Sequence, residues 1–285
     1  MRTFQYFIAG FFLFTTVHSD ISAQGDGEPR TAVDRSGAEM ILVPAGDFEL
    51  GVNTEALIPV CEAYGEWSGI NVDRCIRSLD DDPNPPAQQM HLESFWIDRF
   101  EVTNEIYQKC VDDGRCDVIY LPENHAEHEN NHPQKPIVGV NWYQASQLCT
   151  WRQARLPTNA EWEYAASGPD NNLLPWGGLV VDEHAINSLE TYIVGTNDGD
   201  VSWIGVHDLT FNAREWVEDR YVPYESFIEE HISRSDADVR RTLRGAAWNT
   251  SIAPDGYTYH RWPSDPMTSN GGVGVRCARF TDPSR

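Results

Sequence analysis

The side chains of this chain that could carry chemistry are six cysteines, a histidine run and an unusual number of tryptophans. Cys61, Cys75, Cys110, Cys116, Cys149 and Cys277 are an even set without Cys-x-x-Cys spacing, which argues against a redox dithiol or a zinc knuckle. In an oxidising compartment such a set forms disulfides. Local spacing favours Cys110–Cys116 and Cys61–Cys75, leaving Cys149 and Cys277, but six cysteines allow fifteen pairings and spacing alone does not choose among them. His125-x2-His128-x3-His132 has near-helical spacing and lies among Glu127 and Glu129, an arrangement suited to zinc or another transition metal, although polar His/Asn loops are more often simply solvated. Ten tryptophans could line a carbohydrate or peptide groove, against the more ordinary expectation that most of them pack the core.

Elements that would position these residues are legible from their caps. Thr103 is placed to cap a helix through Val111 that stops at Gly114, and Asn141 one whose inner face is Ala145, Leu148 and Cys149. Thr158-Asn159-Ala160-Glu161 is a capping box, opening a helix to about Ser167 with Gly168 as its stop. Met40–Pro44 and Ala45–Phe48 read as strand, turn and strand, and the alternation from Glu93 to Val102 as another strand. Residues 52–87, with Asp80-Asp81-Asp82 and Pro83, Pro85 and Pro86, read as an irregular surface insertion tied by a disulfide. Beyond Gly168 there is no alternation of strand and helix, so a doubly wound sheet is not expected.

The chain has 285 residues, 21 basic against 44 acidic, for a net charge of −23. That balance argues against nucleic acid as a partner, which needs a basic surface. At 40% hydrophobic residues the chain can build a sizeable core. Arg2 followed by the apolar stretch Phe4–Val17 is too short to span a bilayer and reads as a signal peptide, with a cut after Ser19 or, preferably, Ala23. An uncleaved anchor is the alternative. The expected organisation is a signal over 1–23, a flexible linker over 24–37 and one domain over 38–283, secreted or periplasmic, with no later membrane span.

A longer pattern carries a resemblance. Phe100-Glu101-Val102-Thr103-Asn104, Pro136–Ala145, Leu148-Cys149-Thr150-Trp151 and Arg155-Leu156-Pro157-Thr158-Asn159-Ala160-Glu161-Trp162-Glu163-Tyr164 come first. Pro175-Trp176-Gly177, Asn212-Ala213-Arg214-Glu215-Trp216, Leu243-Arg244-Gly245 and Gly274-Val275-Arg276-Cys277 follow in order. This series resembles the formylglycine-generating enzyme, or sulfatase-modifying factor, family over about residues 38–280. The resemblance implies a single compact α+β domain with little regular secondary structure, related to C-type lectins, and a Cys149–Cys277 bridge. It also implies a calcium ion at Asp208, Phe211, Ala213 and Glu215, and a second site that would use Asn187 and Ser188. Calcium takes six to eight oxygen ligands, so two carboxylates and two carbonyls would make a partial cage. A glycine is usual where this chain has Phe211, and a Phe would be strained there if the backbone needs φ > 0.

Family enzymes oxidise a cysteine of their substrate with a copper-binding cysteine pair placed after a Gly-Gly-Ser-aromatic stretch. Here the stretch reads Gly245-Ala246-Ala247-Trp248, and the pair falls on or near Asn249 and Pro254, which cannot ligate copper(I). The first reading is therefore a pseudoenzyme: a secreted binding or scaffolding module that holds a peptide, protein or carbohydrate in a groove around Asn249, Asp255, Tyr257, Tyr259, His260 and Arg261. The alternative is a metal-dependent oxidoreductase acting on a protein or small molecule, with His260 and Asp255 or the His125 run as its centre. Asn249-Thr250-Ser251 is also a glycosylation sequon.

Overall fold

The computed structural model describes residues 29–68, 71, 75, 87–119, 132–178, 190–221, 239–248 and 256–284. Its first sheet is built from β1 (Thr31–Val33), β2 (Glu39–Val43), β5 (Phe95–Asp98) and β10 (Ala278–Arg279), all antiparallel in the order β1-β2-β5-β10. β3 (Gly46–Leu50) pairs with β4 (Gln88–Leu92) as a separate ribbon. A second sheet has the order β8-β7-β6-β9, from β6 (Arg214–Arg220), β7 (Arg241–Arg244), β8 (Trp262–Ser264) and β9 (Val273–Gly274), with β9 parallel to β6. The long tracts between these short strands make this an α+β domain in which loops carry much of the interior.

Three of the four helices among the described residues sit where their caps place them. Thr103 accepts from the N–H of Ile106 at the start of α2 (Asn104–Asp112). Asn141 and Gln144 form a reciprocal capping box on α3 (Trp142–Trp151), and Thr158 and Glu161 do the same on α4 (Asn159–Ser167), which stops at Gly168 with φ 69°. The remaining helix corrects the reading of 52–87 as an irregular insertion. α1 (Thr54–Ser68) forms there despite Pro59, because Leu57, Val60 and Cys61 share one face and pack with Leu174, Phe211, Tyr257 and Tyr259. The Glu93–Val102 strand is shorter than expected, with regular pairing confined to β5.

The stretch expected to be a linker, 24–37, contains β1, and behind it Asp34 is buried. Asp34 Oδ2 accepts from Arg152 Nε at 2.8 Å, while the Arg152 guanidinium makes two 2.6 Å bonds to Asp98. Fully buried arginines are tolerable only when their donors are met in this way. The Arg152 charge, with hydrogen bonds from Ser36 and Ala38, holds the Asp34 carboxyl below its usual range against the opposing effect of burial.

The three bridges are Cys61–Cys75, Cys110–Cys116 and Cys149–Cys277. The last joins α3 to the segment entering β10, inside the cluster formed by Ala145, Leu148, Leu156, Trp216 and Val275. No helix among the described residues is long and apolar enough to cross a membrane.

Candidate functional site

The loop entering β6 is held by four buried carboxylates and one arginine. Asp200 Oδ2 accepts from the N–H groups of Thr210 and Phe211, at 2.9 and 3.1 Å. Glu101 Oε1 accepts from the Ala213 N–H at 2.9 Å, and its Oε2 accepts from the Asn212 amide. Asn212 Oδ1 in turn accepts from the Tyr192 N–H at 2.9 Å. Asp208 Oδ2 accepts from the Gly195 N–H at 2.6 Å, while Oδ1, fully buried, has no hydrogen-bond partner. These bonds replace a regular ladder and let an irregular loop lie inside the protein without stranding its amides.

Arg276 is the cation of this cluster. Its Nε and Nη2 donate to the two oxygens of Glu215 at 2.6 and 2.7 Å, and its remaining bonds go to the carbonyls of Asp98, His207 and, at 3.5 Å, Arg99. Trp162 Nε1 also donates to Glu215 Oε2, at 2.7 Å. One guanidinium cannot neutralise four carboxylates, and at Glu101 and Asp208 like charge adds to the effect of burial. Burial, followed by the charges of Asp208 and Glu215, pushes Glu101 well above the ordinary range. Burial pushes Asp208 up to about 7, with Asp200 adding to the shift, and burial likewise pushes Asp200 up to about 6.

Of the expected calcium ligands, Asp208 and Glu215 lie in one buried cluster, and their oxygens are unequally engaged. Asp208 keeps one oxygen without a hydrogen-bond partner, close to the Asp200 and Glu215 carboxylates. Glu215 is occupied by three N–H donors and serves as the counterion of Arg276. Phe211 is not strained: the left-handed positions are Asp208 (φ 58°) and Asn212 (φ 74°), residue types that tolerate them, and the Phe211 ring packs with Tyr257 and Tyr259. Among the described residues no three His, Cys, Asp or Glu side chains converge as a metal cage. Asn187, Ser188, His125 and His128 lie outside the described residues, and His132 is exposed.

The expected ligand groove is corrected where it can be seen. Tyr257 is 2% exposed, Tyr259 1%, His260 5% and Arg261 9%, so these side chains are interior rather than groove-lining. The two tyrosine rings stack at 5.8 Å, and His260 packs edge-on to Trp262. Asn249, Pro254 and Asp255 lie outside the described residues. Just before them, Gly245 (φ 71°) could not carry a side chain, since a Cβ would meet the Leu209 carbonyl oxygen at 2.7 Å. Ala246 and Ala247 beyond it are buried.

Glu101, Asp200 and Arg276 are the network members that sequence reasoning gave no role. Glu101 and Arg276 do stand inside recognisable motifs, in Phe100–Asn104 and Gly274–Cys277, where a charged residue amid apolar neighbours is the available signal. Asp200, in a Gly-Asp loop, carries none.

A family model described as "Sulfatase-modifying factor enzyme 1-like domain" matches residues 26–281. The chain is 31% identical over 214 residues to serine/threonine-protein kinase Pkn1 of Chlamydia trachomatis, an alignment covering 68% of this chain but 34% of the kinase. It therefore spans about a third of that relative's length. It is 23% identical over 303 residues to the formylglycine-generating enzyme of Bos taurus, covering 84% of this chain and 74% of the relative. With inactive C-alpha-formylglycine-generating enzyme 2 of Bos taurus it shares 30% over 169 residues, half of each chain. Among solved structures, PvdO from Pseudomonas aeruginosa superposes with a TM-score of 0.62 over 90% of this chain and all of its own, at 19% identity, a likeness of fold alone.

Proposed function

Since the chain belongs to the sulfatase-modifying factor enzyme 1-like domain family, we propose that it is a secreted ligand- or protein-binding member that does not form formylglycine. The observation that carries this reading is the cysteine balance. All six cysteines of the chain stand in the three disulfides, so no thiolate remains to hold copper(I). Three disulfides also agree with an exported protein. Thiol titration of the denatured, unreduced mature protein is expected to find no free thiol, and copper(I) titration of the native protein no tight site. One or more thiols, with stoichiometric copper bound, would overturn the reading.

Calcium at Asp208, with the carbonyls of Phe211 and Ala213, belongs to the same proposal. The support is electrostatic: four buried carboxylates face one guanidinium, and Asp208 Oδ1 has no hydrogen-bond partner among the described residues. The ion would be structural, neutralising the loop ahead of β6. In chelator, Asp200 and Asp208 hold protons in the folded state that the unfolded chain has released. Between about pH 4 and pH 7 the folded state then binds more protons than the unfolded one, so stability falls as pH rises. Excess calcium should raise the melting temperature at pH 7 and flatten that slope, and Asp208→Ala should melt independently of calcium. Identical melting curves for wild type in chelator and in calcium would remove the ion.

A further inference from the structure

The outward face of α3 presents Tyr143, Ser146, Gln147 and Thr150 at the i, i+3, i+4, i+7 spacing of one helix face, while Ala145, Leu148 and Cys149 face the core. Together with Trp151 and Gln153 at the helix end, Arg35 from the β1–β2 turn and Arg115 from the loop after α2, this face bounds a cleft of about 630 Å³. We propose that the cleft binds a short acidic oligosaccharide, one or two of whose carboxylate or sulfate groups pair with Arg35 and Arg115.

Charge is the first support. The chain carries −23, yet the described residues lining this cleft include two arginines and no carboxylate. Asp113, which flanks it, accepts from Trp151 Nε1 at 2.9 Å. Arg35 is held in place by donating to the Trp151 carbonyl and lying over the Trp151 ring, 5.8 Å from its centroid. Arg115 is exposed and makes no side-chain hydrogen bond or ion pair among the described residues.

A second support is backbone conformation. Gln153 sits just past the C-cap of α3 with φ 59°, a left-handed position that glycine fills most cheaply. A glutamine there costs stability, and its side chain opens onto the cleft.

The remaining lining selects the ligand class. Tyr143 is 50% exposed, with its ring fixed edge-on against Trp142 at 5.4 Å, and offers a flat face for the C–H face of a sugar ring. Two hydroxyls and two carboxamides match sugar hydroxyls, and guanidinium groups match planar carboxylate or sulfate oxygens. A peptide would need an open strand edge or an apolar socket, and the lining is helix side chains and loop tips instead. The ligand must also be short, because a long polyanion would be repelled by the rest of the surface.

This site deepens the binding-module reading and rests on it, but the two fail separately, since thiol and copper assays do not involve the cleft. Titration calorimetry of the full mature chain would use trigalacturonate, a sulfate-bearing trisaccharide, maltotriose and acetyl-triglutamate. Binding of either acidic sugar above the other two is expected, which also distinguishes carboxylate from sulfate. Arg115→Gln and Tyr143→Ala, both at exposed positions, should each weaken it roughly tenfold or more. Gln153→Gly should raise the melting temperature while weakening binding. No binding of either acidic sugar, equal binding of maltotriose or triglutamate, or affinity unchanged in Arg115→Gln and Tyr143→Ala would overturn the proposal. Affinity unchanged in Gln153→Gly would overturn the role of that residue.

Discussion

Replacing Arg276 with alanine is expected to destabilise the domain by about 3–5 kcal/mol, a large part of the roughly 5–15 kcal/mol that holds a folded protein together. The side chain is fully buried and is the direct counterion of Glu215, itself buried and close to two other carboxylates with raised pKa values. Its removal also strands the His207 and Asp98 carbonyls it serves. The damage is electrostatic rather than volumetric, which gives a control. Arg276→Met combined with Glu215→Leu removes both charges while keeping bulk, and should recover much of the lost stability. Urea melts of the single and double variants measure this. A double variant no better than Arg276→Ala would mean that packing, and not charge balance, governs the cluster.

Removing the long-range bridge should be the next most costly change. Cys149 and Cys277 are 128 residues apart and both buried, and loop-entropy arithmetic for such a closure gives roughly 5 kcal/mol, against about 2 for the Cys110–Cys116 loop. The Cys149→Ala/Cys277→Ala double variant is therefore expected to melt well below the Cys110→Ala/Cys116→Ala one. Equal melting temperatures would show that the unfolded chain gains little freedom when the long loop is opened.

What the sequence discloses about this fold is mostly local chemistry. Thr103, Asn141 and Thr158 announce their helices because a cap needs one side chain and the next few backbone amides, all within four residues. Local spacing likewise favours the two short-range disulfides, whereas the α+β fold and the Cys149–Cys277 bridge are what the family resemblance implies. α1 does not announce itself: Pro59 and the acidic, proline-rich tract after the helix outweigh the Leu57–Val60–Cys61 face, which matters only once Phe211 and Tyr257 arrive from far along the chain. β1 is equally silent, being three residues made regular by pairing with β2.

The site shows the same division. Asp208 and Glu215 can be marked from the motif around them, but the assignment of Glu215 to Arg276 rests on a contact between residues 61 apart in sequence. The interior placement of His260 and Arg261 runs against their polarity. In a fold whose core includes loops, buried arginines such as Arg244 and Arg276 are met by carbonyls and carboxylates that no spacing rule reveals.

The most direct test of the central claim is the mass of a cysteine-containing, sulfatase-type peptide after incubation with the mature protein, copper and oxygen. A chain whose every cysteine is bridged should leave the peptide mass unchanged, with the cysteine still fully alkylatable. Conversion of that cysteine to the aldehyde, at a rate above the copper-only control, would contradict the account.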